Sequence, residues 1–323
     1  MRTTSLVDYR TKRVLVTGGA GFIGSHLVDA LVTAGAHVRV IDNLSAGRMD
    51  NLANNMDKIE FRQRDIVKAD DLDGIMGDID IVFHLAANAS VPKSVQNPRH
   101  DFDSNALGTF NVLSALRDSS VATCVVASSG AVYGEPARHP IQEDDLLRPI
   151  SPYGATKMAA EAFCRAFHSS FGVPVHIARI FNTYGPRQPR FVMLDFYRKL
   201  CSDSTELEIL GDGKQVRDFC YVDDTVGALM HLGMLSDMPC EAFNISSGVN
   251  HSVTDVAEAM FRAMELQDVR MRFTGESWAG DAQRWEVGID KIISHTGYRP
   301  QHDLASGLEQ FVNWCRRHAE RIT

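Results

Sequence analysis

Several classes of protein are excluded by what the chain lacks. No stretch approaches the roughly 18 uninterrupted apolar residues of a membrane-spanning helix, and the N-terminal run MRTTSLVDYRTKR has no apolar core of a secretory signal. The six cysteines (Cys124, Cys164, Cys201, Cys220, Cys240, Cys315) are scattered, with no CxxC pair and no His/Cys spacing suited to zinc. Reduced thiols in a cytoplasmic protein, with no metal and no membrane, are the expectation. Positive charge is also short: 33 Lys and Arg stand against 41 Asp and Glu, a net charge of −8, which disfavours nucleic acid as a partner. One local basic pair, Arg187 and Arg190, remains. There is no internal repeat or low-complexity segment. What the chain does have is 44% hydrophobic residues over 323 positions, enough for one large α/β unit or two domains.

Apolar runs of strand length alternate with helical patterns. RVLVT (13–17) precedes a helical pattern from Phe22 to about Ala34, and HVRVID (37–42), IEFRQRD (59–65) and DIVFHLA (80–86) read as strands. A helix is expected over about 98–117, with Phe102, Ala106, Phe110, Leu113 and Leu116 on one face. VATCVVASS (121–129) reads as a strand, 151–171 as a helix ended by Gly172, and VPVHIARI (173–180) as another strand. Continuous apolar strands spaced by helices imply a parallel sheet covered on both faces. Right-handed crossovers make it a doubly wound, Rossmann-like α/β fold. After residue 181 the pattern loosens. Helices are expected at 190–201, 222–235, 252–266 and 303–319, with short strands near 207–210, 243–245 and 269–273. The expected organisation is a dinucleotide-binding domain over 1–181, to whose sheet later strands can return, and a smaller α/β substrate lobe over 182–323.

TGGAGFIGSHL (17–27) lies between the first strand and the first helix, with Gly18, Gly21 and Gly24 three apart. Glycines let the backbone turn tightly and approach a pyrophosphate seated on the helix N-terminus. The plain alternative is a glycine-rich turn with no ligand. An acid, Asp42, ends the second strand, where a carboxylate binds both ribose hydroxyls of NAD and repels the 2′-phosphate of NADP. Arg48 nearby pulls the other way. Asp65 and Ile66, after the third strand, are placed to contact the adenine, unless Asp65 only caps a turn.

In SPYGATK (151–157), Tyr153 and Lys157 are four apart and share one helix face, with Ser151 as the N-cap and Pro152 in the first turn. A free phenol with a pKa near 10 is ionised in only about one molecule in a thousand at pH 7. A cation within about 4–6 Å lowers an acid's pKa by roughly 1–3 units. Lys157 and an oxidised nicotinamide would thus make Tyr153 a usable base toward a sugar hydroxyl. An ordinary helix surface is the bland reading, weakened by the glycine loop upstream. Ser129 ends its strand at the sheet edge where open α/β folds bind ligands, and Ser128 beside it is the competing hydroxyl.

Together these residues resemble the extended short-chain dehydrogenases/reductases, specifically the nucleotide-sugar epimerases and dehydratases. The resemblance rests on TGGAGFIGSHL, DNLSAG (42–47), HLAA (84–87), NALGT (105–109), SSGAVYG (128–134), SPYGATK, RIFNTYGPRQ (179–188) and GDGKQVRDFCYVDD (211–224). It implies Ser129, Tyr153 and Lys157 as the catalytic set, with Lys157 also on the nicotinamide ribose. It implies Gly18, Gly21, Phe22, Ile23 and Gly24 at the pyrophosphate, Asp42, Asn43 and Ser45 at the adenosine ribose, Leu85, Ala86 and Ala87 beside the cofactor, and Asn105 in the helix lining its cleft. Asn182 and Arg217 correspond to contacts with the sugar or diphosphate, though a salt bridge to Asp218 or a nearby acid is the simpler use of Arg217. Ser90, Lys93, Phe191, Val192 and Leu194 are expected to border the sugar or base. Relatives usually carry an arginine two residues before a Gly-Asp pair near 280. Here Trp278 stands there and the later arginine is Arg284.

The residues after Ser129 choose among reactions. The family's 4,6-dehydratases carry an Asp-Glu pair there and its decarboxylases a Glu at the second position. Here both are non-ionisable, Gly130 and Ala131. Ser, Tyr and Lys alone suffice to oxidise a hydroxyl and reduce the ketone again. The expectation is therefore an NAD-dependent C4 epimerase of a nucleotide-diphosphate sugar, UDP-linked by resemblance, acting as a homodimer through the helices at about 98–117 and 151–171. The alternatives are a 4,6- or 5,6-dehydratase using acids from elsewhere, a one-way 4-ketoreductase, and a non-catalytic NAD-binding scaffold.

Overall fold

The computed structural model describes residues 7–236, 238–276 and 284–322. The first half of the chain builds β1 (Arg13–Thr17), α1 (Phe22–Thr33), β2 (His37–Asp42), β3 (Ile59–Gln63), β4 (Ile81–His84), α2 (Val91–Gln96), α3 (Pro98–Asp101), α4 (Gly108–Arg117), β5 (Thr123–Ser129), α5 (Pro152–Phe171) and β6 (Val175–Ile180). The second half adds β7 (Asn182–Tyr184), α6 (Val192–Ser202), β8 (Glu206–Ile209), β9 (Val216–Tyr221), α7 (Val222–Gly233), β10 (Ala242–Ile245), β11 (Asn250–Ser252), α8 (Val253–Met264), β12 (Arg270–Phe273), α9 (Asp290–Thr296) and α10 (Leu304–Arg317).

Seven parallel strands form the main sheet in the order β10-β6-β5-β4-β1-β2-β3. The order reverses between β1 and β4, which is where doubly wound sheets open a ligand crevice at their C-terminal edge. Thr17 at the end of β1 pairs with Ile41 of β2 and with His84 of β4, so these strand ends converge on one edge. Alternation along β1 sends Val14 and Val16 to one apolar layer and Leu15 to the other. β10 comes from beyond residue 181 and pairs with β6, completing the sheet. Beyond residue 181 the chain also forms a three-stranded sheet, β11-β9-β7, and a two-stranded one, β12-β8. The short β7 and β11 and the helices α2 and α9 are too brief for their periodicity to register in the sequence, and in β9 Arg217 and Asp218 interrupt the apolar run.

One expected face is displaced. The helix anticipated over 98–117 contains a π turn at Phe102–Leu107 between α3 and α4. The wider turn breaks the 3.6-residue repeat. Ala106, Leu113 and Leu116 are buried as expected, but Phe102 and Phe110 are 48% and 39% exposed. α5 matches its sequence signals closely. The Ser151 side chain accepts from the Gly154 N–H, and Gly172 ends the helix in the left-handed conformation that favours glycine.

Candidate active site

The turn from β1 into α1 is shaped by close backbone approach. Gly18 has φ +72°, and a Cβ there would lie 2.6 Å from the Ala86 nitrogen. A Cβ at Gly24 would lie 2.2 Å from the Gly18 carbonyl oxygen. At Gly21 the nearest atom would be that same oxygen, 3.1 Å away. Gly21 is the N-cap of α1, with no side-chain cap and no acid in the first turn. The N–H groups of Phe22, Ile23 and Gly24 thus open the helix with its partial positive end bare, a cradle for a diphosphate. Asp42 ends β2, is buried, and accepts from the Ala20 N–H (3.0 Å) and the Leu44 N–H (2.8 Å). Burial pushes its carboxyl up and those two donors oppose the push. Arg48, which would favour a 2′-phosphate, is exposed and paired with Asp50. These residues fit an NAD molecule: a pyrophosphate cradle closed to any side chain at Gly18 and Gly24, and a carboxylate at the second strand end.

The surrounding positions differ in what they do. Leu85, Ala86 and Ala87 follow β4, anchored by Leu85 N–H to Thr17 O (3.1 Å) and Ala86 N–H to Thr17 Oγ1 (3.1 Å). The Thr17 hydroxyl also lies 2.7 Å from Nδ1 of His84, whose Nε2 is 3.0 Å from the Thr109 hydroxyl. Burial, helped by the charge of Lys157, drops the His84 pKa to about 3, so the ring is neutral. Asn43 and Ser45 are exposed, joined by Ser45 N–H to Asn43 Oδ1 (2.9 Å). Asp65 accepts from the Val67 N–H at 3.0 Å, the turn-capping use, while Ile66 is buried in the core.

Ser129 ends β5, and its Oγ accepts from the Ala131 N–H at 3.2 Å. Ser128 is committed elsewhere, donating to Glu161 Oε1 at 2.6 Å. Tyr153 and Lys157 both come from α5 and both are buried. Burial raises the Tyr153 phenol, the Ser129 hydroxyl lowers it, Asp101 raises it and Arg190 lowers it. Lys157 donates from Nζ to the Ala127 carbonyl at 2.8 Å. Burial brings its ammonium down to about 8, against the pull of Asp101, Cys164 and Glu161. In this arrangement Lys157 is turned onto the backbone of β5.

A buried web behind the phenol was not read from the sequence. The Thr156 hydroxyl donates to Asp101 Oδ2 at 2.6 Å, and Asn88 Nδ2 donates to Asp101 Oδ1 at 2.8 Å. Asn105 Nδ2 lies 3.1 Å from Asp101 Oδ2, Thr156 Oγ1 and the Asn88 carbonyl, and its Oδ1 accepts from the Asn88 N–H at 2.8 Å. Asn105 sits in the π turn and is fully buried, so it braces α5 and the loop after β4. Its place in NALGT was the only signal available. Behind Ser128, Arg179 of β6 forms a two-pronged ion pair with Glu161 (2.9 and 2.7 Å), both 1% exposed. It also donates to the Tyr133 hydroxyl at 2.7 Å. Glu161 stands one helical turn beyond Lys157, a spacing that pointed to the same face.

On the substrate side, Asn182 reaches the Asp218 carbonyl only at 3.5 Å. Arg217 donates to the Val216 carbonyl at 2.8 Å and lies over the Trp285 ring, 5.8 Å from its centroid. The Asp218 carboxylate accepts from the Ser247 and Gly248 N–H groups at 2.9 and 2.8 Å. Arg284 bridges Val216 in the backbone, and its exposed guanidinium is paired with Glu286. Trp285 has a buried indole N–H with no partner among the described residues. Ser90 is buried as the N-cap of α2, accepting from the Lys93 N–H at 3.3 Å. Lys93 and Phe191 are exposed, Val192 is half-buried, and Leu194 belongs to the core rather than to a pocket border. Trp278 lies outside the described residues. A Cβ at Gly130 would come within 2.5 Å of the Phe181 ring, which packs against both Tyr133 and Trp285.

The family described as GDP-mannose 4,6-dehydratase matches residues 15–307. The UDP-glucose 4-epimerase of Mycolicibacterium smegmatis is 37% identical, over 95% of this chain and 100% of its own. A solved UDP-glucuronic acid 4-epimerase from Bacillus cereus, in complex with UDP-glucuronic acid and NAD, is 31% identical with a TM-score of 0.86, covering 94% of this chain and 99% of its own. A dTDP-glucose 4,6-dehydratase from Streptomyces venezuelae with NAD bound is 30% identical with a TM-score of 0.87, covering 95% and 98%.

Proposed function

We propose, for a chain that belongs to the GDP-mannose 4,6-dehydratase family of extended short-chain dehydrogenases/reductases, that it is an NAD-dependent enzyme inverting C4 of a nucleotide-diphosphate sugar, UDP-linked, through a transient 4-keto sugar. The observation that carries this reading is the constellation at the end of β5. Ser129, Tyr153 and Lys157 surround a site in which the two positions after the serine have no ionisable group. The Phe181 ring fills the space that a side chain at Gly130 would need. Expelling water would require a free acid near the phenol. Asp101, the carboxylate acting on Tyr153, already has both oxygens hydrogen-bonded.

The roles follow from the geometry. Tyr153, ionised, takes the proton of the C4 hydroxyl and, once the 4-keto sugar has turned its other face to the site, returns a proton to the C4 oxygen. The Ser129 hydroxyl, which hydrogen-bonds toward the phenol and lowers it, bonds the same oxygen and steadies its charge. Lys157, fixed on Ala127, meets the cofactor ribose, and Asp42 meets the adenosine ribose. NAD held by these residues would supply the reversible acceptor of the C4 hydride. Gly18, Gly21 and Gly24, with the open first turn of α1, hold its diphosphate. We assign the sheet domain, with β10, to NAD and the lobe after residue 181 to the nucleotide sugar, with Arg217 on its diphosphate and Asn182 beside it.

Two further features belong to this reading. All six cysteines are free thiols, which supports a cytoplasmic setting, and no helix among the described residues is long and apolar enough to cross a membrane. Phe102, Phe110, Phe163 and Phe171 remain partly exposed on the α4–α5 side, which supports a homodimer through these helices. Sedimentation of the purified protein tests the dimer. Incubation with a panel of UDP-sugars, without added reductant and followed by NMR, tests the reaction. Inversion at C4 is expected. Loss of water, seen as an accumulating keto or alkene signal, would assign a dehydratase instead.

A further inference from the structure

Resting on that reading of Ser129, a buried ion pair outside the catalytic set accounts for what holds the hydroxyl in place. Ser129 lies where β5 ends and a 3₁₀ turn, Gly130–Val132, begins. On its N-terminal side the Ser128 hydroxyl donates to Glu161 Oε1 at 2.6 Å. On its C-terminal side the Tyr133 hydroxyl accepts from Arg179 Nη1 at 2.7 Å and donates to Asn244 Oδ1 at 2.7 Å. Arg179 and Glu161 bond each other through two prongs, and the guanidinium lies over the Tyr133 ring, 4.9 Å from its centroid. One pair thus grips the residue before Ser129 and the turn after it. Glu161 belongs to α5, the helix that carries Tyr153 and Lys157. Arg179 belongs to β6, where it stands opposite Ser128 in the strand register. The first turn of α5 also packs on the same turn, since a Cβ at Gly154 would lie 2.5 Å from the Ala131 carbonyl oxygen.

We propose that Glu161 and Arg179 are positioning residues for Ser129, a clamp that sets its hydroxyl against the base carried by the same helix. Burying two charges is costly, and apolar residues in their place are often neutral or stabilising, so stability alone does not explain the pair. What the pair supplies is a fixed arrangement. Glu161 accepts from Ser128, Arg179 and Arg165, the last at 3.3 Å, and Arg179 Nη1 also donates to the Glu143 carbonyl at 2.9 Å. A satisfied buried network rigidifies the groups around it. The tie of Ser129 to the Ala131 N–H, at 3.2 Å, is made to the gripped turn itself, so its position follows that of its neighbours.

The test loosens one grip and leaves the ion pair whole. With a UDP-sugar that the enzyme turns over, by whichever reaction, Y133F is expected to lower kcat about tenfold, with KM and NAD content within about twofold of the parent. In an S129A background the same substitution should change kcat by less than about twofold, because the hydroxyl it displaces is already gone. S128A takes its place if Y133F does not fold by circular dichroism. An equal loss with and without Ser129, a change confined to KM, or no loss in the folded variant overturns the proposal. The crystal structure of the NAD-loaded variant supplies a readout that needs no sugar. Ser129 Oγ should be displaced or split between rotamers, and an unmoved, single position overturns the proposal. Because this reads position rather than turnover, it stands even if no UDP-sugar is inverted at C4, an outcome that would fail the epimerase reading alone.

Discussion

At the cofactor-side edge of the sheet the chain answers its own polar demands. Thr17, His84 and Thr109 bond one another, the Asp42 carboxylate takes two backbone donors, and Asn105, Asp101, Asn88 and Thr156 close a web. The substrate side is built differently. Of the buried side-chain polar atoms without a partner among the described residues, those of Arg187, Gln188, Arg190, Gln215, Ser246 and Trp285 lie beyond residue 181, and only that of His176 lies before it. Buried polar groups are almost always bonded in folded proteins. The contrast fits the proposed division: one half bonds its buried polar side chains within the chain, and the other, among the described residues, keeps unpaired hydrogen-bonding capacity.

The sharpest way to break this division is at the seam. Tyr153→Phe removes the base while leaving the cradle intact, so turnover should fall at least about a hundredfold with NAD still bound. Near-normal turnover would reject the role given to Tyr153. Gly24→Ala attacks the cofactor half alone. Its Cβ has no room beside the Gly18 carbonyl, and strain of about 1–3 kcal/mol should weaken NAD retention roughly five- to a hundredfold. Retained NAD per chain measures this, and an unchanged content would show that the loop is not the cradle. Arg217→Gln attacks the other half. KM for the nucleotide sugar should rise about tenfold, the worth of a hydrogen bond to a charged group, with NAD content unaltered. Loss of NAD in that variant would erase the proposed boundary. The smallest effect concerns acid. His84 is held neutral, its pKa lowered to about 3 from an ordinary 6.5, so the unfolded chain binds the proton first. Its contribution is present above about pH 6.5 and fades as pH falls toward 3. His84→Gln should flatten the fall of Tm across that window, and an equally steep fall would place the acid sensitivity elsewhere.

Much of the fold was legible. RVLVT became β1 because a strand buried on both faces is apolar nearly throughout, while HVRVID and IEFRQRD became β2 and the edge strand β3 because their apolar residues recur at strand spacing. Ser151, Pro152 and Gly172 marked the two ends of α5 because capping chemistry is local. The face of the helix over 98–117 was read wrongly at Phe102 and Phe110. A π turn is imposed by what Asn105 bonds to across the fold, and no repeat along the helix encodes it. β7 and β11 escaped notice because strands of three residues carry almost no periodicity, and β9 because Arg217 and Asp218 interrupt its apolar run.

By itself, the sequence determined the doubly wound sheet, the glycine turn with Asp42 beyond it, and the Ser129, Tyr153 and Lys157 set, since each depends on residue type at short spacing. Only the tertiary structure decided that Ser128 is taken by Glu161, that Phe181 fills the space beside Gly130, and that Lys157 turns to Ala127. Those facts join residues tens of positions apart, and such contacts are chosen by packing and by the need to satisfy buried polar groups, which no local pattern records.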